Sequence, residues 1–350
     1  MALTFSAFSD ILNHGFDTVI DVRSPTEFAE DHIPGAINLP SLSNDERAEV
    51  GTIYKQISPF KARKIGASLV LNNVARHIAG PLKDYDGGWQ PLVYCWRGGQ
   101  RSGVFSMLLK EVGWRAQTVA GGYQTFRRIV KNSLYDAPLP HRFILLDGYT
   151  GTAKTALLPR LAERGVQTLD LEGLARHRGS LLGALPGGQP SQRAFETSLA
   201  VALHDLDPNR VTIVEAESSK IGRLNLPPSL WSVMLGASRI DLTASPEVRA
   251  VYLATAYDDI LRDPLTVRDR LAGLRHMRGH AVVDRWQALQ DAGDYTGLAA
   301  ALMADHYDPA YAKSRRIDAR SVISAVHADT LDEDGLNRVA DLIAAQITAL

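Results

Sequence analysis

The chain has 350 residues, 45% of them hydrophobic, a formal net charge of -1 and one cysteine, Cys95. The length suggests about two domains, and the near-neutral charge excludes a global field that would draw the chain onto nucleic acid or anionic membrane, so any RNA binding must come from local patches. A single cysteine excludes an internal disulfide framework and a multi-cysteine zinc site and fits a reducing, cytoplasmic setting; no apolar run approaches the ~20 residues that span a bilayer, and the first residues lack the pattern of a signal peptide.

In chain order, Thr18-Val-Ile-Asp-Val22 reads as a short β-branched strand, followed by Pro25 at the first turn of a helix through Phe28. His32-Ile-Pro-Gly-Ala-Ile-Asn-Leu-Pro40 reads as a turn and a second strand. Ser43-Asn-Asp-Glu46 is a capping-box signature that opens a helix, and two further helices are expected between Thr52 and Ala79. Leu92-Val93-Tyr94 is a buried strand end that delivers Cys95, and Ser102 to Val112 has the period of a helix closed by Gly113. Ala116 to Val119 is another strand, and Gly121-Gly122 a tight turn. Strands alternating with helices imply a parallel α/β sheet, with ligands at strand carboxyl ends, where Cys95 lies.

The strand-to-helix turn after Cys95 aims backbone N–H groups and the helix dipole into one concavity, and Arg97 and Arg101 add positive charge. Each favours a thiolate able to attack or carry an atom that arrives on an oxyanion. Asp21-Val-Arg-Ser-Pro-x-Glu27-Phe, His32-Ile-Pro-Gly-Ala and Gly121-Gly122 resemble a rhodanese domain, with Cys95 in the sulfur-carrier position. Five residues separate Cys95 from Arg101, where many rhodaneses have a shorter loop; five is also the spacing of cysteine phosphatases. The loop alone leaves phosphatase and chalcogen transfer open.

Pro138 and Pro140 mark a linker, giving an expected first domain over 1–136 and a second over 137–350. Arg142-Phe-Ile-Leu-Leu-Asp147 is a buried strand, then comes Gly148-Tyr-Thr-Gly-Thr-Ala-Lys-Thr155, then an apolar helix: the context of a P-loop. Backbone N–H groups of Gly148, Thr150, Gly151 and Thr152 would cradle a diphosphate, Lys154 would neutralise it, and Thr155 would hold Mg²⁺, the candidate ion. Ala153 stands where the strict pattern has glycine. The Gly/Pro-rich segment through Pro190 is a candidate lid, with His177 and Arg178 the side chains suited to a phosphate. Val211-Thr-Ile-Val214 is a strand ending in Glu215-Ala-Glu217-Ser218, acids placed to hold Mg²⁺ or its water; no metal site is assigned with certainty.

From Ser245 the chain reads as mostly helical. Arg268 and Arg275 are seven apart, sharing a helix face, with Arg278 nearly a further turn on; Lys313, Arg315 and Arg316 form a second basic cluster. Both are candidate contacts to RNA phosphates, against a solvated basic face. His306-Tyr-Asp-Pro-Ala-Tyr311 is rich enough in aromatics to stack a base, line an apolar pocket or pack a core. Val322 to Val326 is a late edge strand and Asp332 to Ile347 an amphipathic closing helix.

A rhodanese-like domain followed by a P-loop NTPase-like α/β domain with a helical C-terminal part resembles the bacterial tRNA 2-selenouridine synthases. Specific matches are Asn44-x-Glu46-Arg47 with Val50-Gly-Thr-x-Tyr-Lys-Gln-x-Ser-Pro-Phe60, Tyr94-Cys-Trp-Arg-Gly-Gly-x-Arg-Ser102, Leu171-Glu-Gly-Leu-Ala-x-His-Arg-Gly-Ser180, Gln189-Pro-Ser-Gln192 and His306-Tyr-Asp-Pro309; the departures are Ala153 and Ala216, where an acid is expected. The resemblance implies tRNA carrying wobble 2-thiouridine as substrate, with geranyl diphosphate and selenophosphate as co-substrates and a selenophosphate-supplying enzyme as a candidate partner. It implies S-geranylation, diphosphate being released at the P-loop, then replacement of the geranylated sulfur by selenium carried on Cys95 as a selenyl sulfide, with Arg97 and Arg101 holding the phosphate. Two rival readings stand beside it: a sulfurtransferase or cysteine phosphatase fused to an ATP-dependent kinase, and a non-catalytic RNA-binding adaptor with a vestigial P-loop.

Overall fold

A computed structural model describes residues 2–317 and 320–349, the side chains of 314–317 excepted. The chain divides into two compact units, one holding the chain to Ala137 together with Pro190–His204, the other Pro138–Gln189 and the chain from Asp205.

The strands in chain order are β1 (Ala2–Leu3), β2 (Thr18–Asp21), β3 (Ile37–Asn38), β4 (Pro91–Tyr94), β5 (Gln117–Val119), β6 (Arg142–Asp147), β7 (Gln167–Leu169), β8 (Val211–Glu215), β9 (Lys220–Ile221), β10 (Leu224–Asn225), β11 (Ser238–Thr243) and β12 (Val322–His327). In the first unit they form a five-stranded sheet ordered β1-β5-β4-β2-β3, with every pairing parallel. A parallel sheet needs cover on its faces, which explains the burial along β2 and the apolar run of β4. Ile20, Val22, Val93, Phe105, Leu109 and Trp114 pack in its core. The capping box is present: Ser43 accepts from the Glu46 amide, and Glu46 returns to the Ser43 amide at 2.8 Å. That helix runs to Gln56, so the expected pair of further helices from Thr52 reduces to one, Pro59–Ala79; Ser58 and Pro59 break and restart the chain there. Gly113 ends the Gln100–Val112 helix at φ 110°. The Gln192–Asp205 helix joins this unit through buried Glu196, which pairs with Arg127 and accepts from the Tyr135 hydroxyl at 2.7 Å.

The second unit contains a five-stranded parallel sheet ordered β12-β11-β6-β8-β7 and a small β9–β10 hairpin. The expected edge strand is β12, and the closing helix is Glu333–Thr348, capped by Asp332 and packed through Val339 and Ile343 against Leu157, Leu161 and the sheet. The helices between Pro246 and Ile317 enclose a core of their own, with Val267, Leu271, Trp286, Leu298 and Leu302. Each sheet presents the carboxyl end of a central strand, β4 or β6, to a loop that opens a helix.

One backbone contact sets the first of these loops. The Tyr123 amide donates to the Cys95 carbonyl at 2.8 Å and the Gln124 amide to that of Trp96 at 3.1 Å. Gly122 has φ +56°, and a Cβ there would stand 2.2 Å from the Cys95 carbonyl oxygen and 2.5 Å from the Gly98 amide nitrogen. Gly122→Ala is therefore expected to lower the stability of the protein by about 2–5 kcal/mol, the sum of overpacking and left-handed strain, read as a fall in the denaturant midpoint. A midpoint unchanged from the parent would contradict this packing.

Candidate functional site

Cys95 closes β4 beneath the loop that leads into the Gln100–Val112 helix. Its Sγ lies 3.2 Å from the Ser102 hydroxyl. Burial pushes the thiol pKa up, but hydrogen bonds at Ser102, the Arg101 charge and the Gly99 amide outweigh it, and the net shift is downward. Arg101 is held by Glu27 at 3.3 Å, so an acid from the expected Asp21-to-Phe28 motif orients the cation of the cysteine loop. Only Arg101 of the two expected arginines figures in the thiol's shift; Arg97 is exposed and lines a basic pocket with Trp96, Gln124, Arg127, Arg128 and Arg193. Cys95 itself is buried, 3% exposed.

Behind the loop lies a rigid buried network. The Arg23 guanidinium forms a bidentate pair with Asp21, donates to the Asp31 carbonyl and lies 3.9 Å from the Tyr123 ring centroid. The Tyr123 hydroxyl donates to Asp31 at 2.8 Å. A buried charge needs this degree of pairing, so the Asp21-x-Arg23 motif supports the loop from beneath.

In the second unit, β6 ends at Asp147 and the glycine loop leads into the Lys154–Glu163 helix, the strand–loop–helix order that the P-loop reading requires. The Ala153 methyl packs into the core, and the consequence of alanine at this position falls on the backbone: Ala153 takes φ +62°, a left-handed conformation that glycine adopts freely and alanine at about 1–2 kcal/mol. Gly151 is at φ +87°, and a Cβ there would meet Leu253 at 2.9 Å. Lys154 Nζ donates across the loop to the Gly148 carbonyl at 2.9 Å, and the Thr152 hydroxyl donates to the Tyr149 carbonyl at 2.8 Å. Sequence reasoning missed the residues that brace this loop. Arg249 donates to the Thr150 carbonyl at 3.0 Å and pairs with Asp308, and the Tyr311 hydroxyl donates to Asp147 at 2.9 Å. The His306-to-Tyr311 motif supplies two of these groups, but no local pattern links Arg249 to Asp308 across 59 positions.

The Thr155 hydroxyl lies 2.5 Å from Glu215 and 2.9 Å from Glu172. Glu172 was not singled out from the sequence, although it sits inside the matched Leu171-to-Ser180 motif. Burial, then the charges of Glu215 and Glu217, push its carboxyl up to about 9; burial, then Asp170, pushes Glu215 up to about 7. Glu217 hydrogen-bonds to Glu172, so three acids converge beside Thr155. Among the described residues, no group of three or more His, Cys, Asp or Glu side chains is arranged as a metal site. Thr155 and Glu215 together nevertheless offer the one or two protein oxygens with which Mg²⁺ usually binds alongside substrate phosphates.

The two expected lid side chains are already engaged. The Gly179 amide donates to His177 Nδ1, and Arg178 pairs with Asp259 at 2.9 Å and stacks 5.0 Å from the Tyr257 ring centroid. The single helix face expected for Arg268, Arg275 and Arg278 is corrected. Helices Pro264–Ala272 and Arg275–Arg278 are separate, because Gly273 and Leu274 interrupt them. Arg268 pairs with Asp291 and Arg275 with Asp284, while Arg278 donates to His306, so these guanidiniums hold helices together rather than forming a free row. Lys313 is exposed on the Asp308–Ile317 helix; the side chains of Arg315 and Arg316 lie outside the described residues.

The buried acids fix a pH dependence. Glutamates whose folded pKa is raised keep protons that the unfolded chain releases from about pH 4.5, so stability present below that pH is lost as pH rises through the folded values of about 7 and about 9. Glu172→Gln should therefore raise the denaturation midpoint at pH 8 and leave it nearly unchanged at pH 4. A variant that loses stability at pH 8 without ligand would contradict the raised pKa.

A family model described as the tRNA 2-selenouridine synthase AAA domain matches residues 141–264, and one described as the rhodanese-like domain matches residues 4–128. Among curated proteins, the tRNA 2-selenouridine synthase of Hahella chejuensis is 34% identical over 324 residues, 84% of each chain. That of Alcanivorax borkumensis is 34% identical over 84% of this chain and 88% of its own, and that of Shewanella loihica 32% identical over 87% and 89%. Among solved structures, the N-terminal domain of a putative ATP/GTP binding protein from Clostridium difficile 630 is 35% identical over 37% of this chain and 98% of that chain, with a TM-score of 0.31. With a rhodanese-like domain ahead of a P-loop domain, and this identity along most of its length, the chain belongs to the tRNA 2-selenouridine synthase family.

Proposed function

We propose that the chain converts wobble 2-thiouridine of tRNA to 2-selenouridine in two steps, drawing on geranyl diphosphate and then on selenophosphate. The observation that carries this reading is the pairing, in one chain of this family, of a cysteine loop that lowers its thiol pKa with a glycine loop suited to a diphosphate. In the first step the thiouridine sulfur attacks C1 of geranyl diphosphate; the C–S bond forms, the C–O bond breaks, and diphosphate leaves. Loop amides and Lys154 stabilise the charge that develops on the leaving group. Thr155 and Glu215 would hold Mg²⁺, which would supply charge neutralisation there.

S-alkylation answers a chemical need. Sulfide is a poor leaving group from C2, whereas geranylthiol is a better one. In the second step the selenium of selenophosphate attacks C2, the C2–S bond breaks and the geranyl thiolate leaves, taking a proton from solvent; the Cys95 thiolate then attacks phosphorus, the S–P bond forming as the Se–P bond breaks, and water releases phosphate from the sulfur. The cradle of Gly99, Arg101 and the following helix suits the oxyanion of selenophosphate. Arg97 and Arg128, exposed beside Trp96, are better placed to meet tRNA phosphates than the paired arginines of the helical part.

The test uses purified protein, thiolated tRNA and both co-substrates, with mass spectrometry of the released nucleosides. Cys95→Ser should abolish 2-selenouridine and leave S-geranyl-2-thiouridine forming at a rate within about threefold of the parent. Lys154→Ala should lower kcat/KM for geranyl diphosphate by about 10²–10³, the usual consequence of deleting one preorganised donor to a developing anion. Equal loss of both steps in folded Cys95→Ser, or unchanged geranylation in Lys154→Ala, would contradict the division of labour. Turnover of thiosulfate, a phosphoester or ATP instead of these co-substrates would favour the sulfurtransferase, phosphatase or kinase alternatives.

A further inference from the structure

We propose that the second unit holds the hydrocarbon chain of a prenyl diphosphate in an apolar cavity that begins at Thr150 of the glycine loop. This deepens, and rests on, the reading that the loop binds geranyl diphosphate. The cavity opens to solvent, and its walls include Leu182, Leu253, Leu261, Leu298 and Leu302. A lining of this kind is what a hydrocarbon chain requires.

Three observations tie it to the diphosphate. Thr150 is both a loop residue and a cavity wall. Leu253, another wall, packs so closely on the loop that a Cβ on Gly151 would stand 2.9 Å from it. The helix that carries Leu253, Pro246–Ala256, also carries Arg249, which donates to the Thr150 carbonyl. A ligand with its charged end in the loop therefore has apolar surface directly beside it.

The chemistry of the walls selects the occupant. Three of their hydroxyls are turned on one another: the Ser180 and Tyr257 hydroxyls lie 2.8 Å apart, and the buried Tyr307 hydroxyl also meets Ser180. A nucleobase among the leucines would leave most of its ring nitrogens and exocyclic groups without partners, whereas a branched hydrocarbon has none to satisfy. Ser180 and Leu182 come from the expected lid segment, so that segment's place in the unit is over the chain end of the ligand.

The test measures affinities of the full chain for geranyl diphosphate, dimethylallyl diphosphate, inorganic diphosphate and GTP. The parent protein should bind geranyl diphosphate at least tenfold tighter than dimethylallyl diphosphate, and the latter tighter than inorganic diphosphate. Ala299→Phe and Ala254→Phe fill the cavity from two walls. Each should weaken geranyl diphosphate at least tenfold while leaving inorganic diphosphate within twofold, which also reports an intact loop. Tight geranyl diphosphate binding that both variants leave unchanged would overturn the cavity assignment and leave the prenyl reading standing. Parent affinity for geranyl diphosphate no greater than for inorganic diphosphate, or less than for GTP, would overturn both.

Discussion

The point at which Gly122 meets the Cys95 carbonyl is the constraint on which the first site depends. Only a residue without a side chain lets two loops approach so closely that backbone amides 123 and 124 bond to carbonyls 95 and 96. Once the two loops are locked, the cysteine loop has little freedom, and the amide of Gly99, the Ser102 hydroxyl and Arg101 converge on one sulfur atom. Glu27 restrains Arg101 in turn, and the buried Asp21–Arg23 pair supports the strand end below. The thiol is thus both acidified and covered.

The second site follows the same principle with a different compromise. A phosphate cradle demands left-handed backbone, and the chain meets that demand with Gly151 and, at some strain, with Ala153. Leu253, Arg249, Asp308 and Tyr311 hold the loop from outside, which offsets the strain through packing rather than through a further glycine. Beside it, Glu172 and Glu215 share the Thr155 hydroxyl at a concentration of negative charge that favours protonation. Such a cluster destabilises the free protein as pH rises, and a dication arriving with a diphosphate would relieve it. Stability given up at a functional site in this way is a common pattern.

Much of this was readable in the residues, for physical reasons that differ from case to case. Strands β2, β4, β6 and β8 announced themselves by β-branched or apolar runs because both sheet faces are covered. The Ser43 box, Gly113 and Asp332 marked helix ends because orphan amides and carbonyls need those residue types. The glycine loop and the lone cysteine stood out because few backgrounds place such residues between a strand and a helix. What the linear pattern did not disclose was tertiary pairing. Arginines 268 and 275 look like a basic face until Asp291 and Asp284 arrive from the following helix. Glu172 looks like an ordinary first-turn acid until β8 brings Glu215 alongside. The Pro190–His204 segment has no local mark of its place in the first unit, which rests on Glu196 meeting Arg127 and Tyr135.

The account stands on one chain acting at both stages of a sulfur-for-selenium exchange. The most direct measurement is nucleoside mass spectrometry on tRNA from a bacterial strain lacking its own enzyme of this family, grown with selenite and complemented with this chain or with an empty vector. The account predicts that 2-selenouridine at the wobble position appears only with the chain, at the expense of 2-thiouridine. Wobble 2-thiouridine left at the vector level, with neither the selenium nor the geranyl product detected while the protein is expressed and folded, would contradict it.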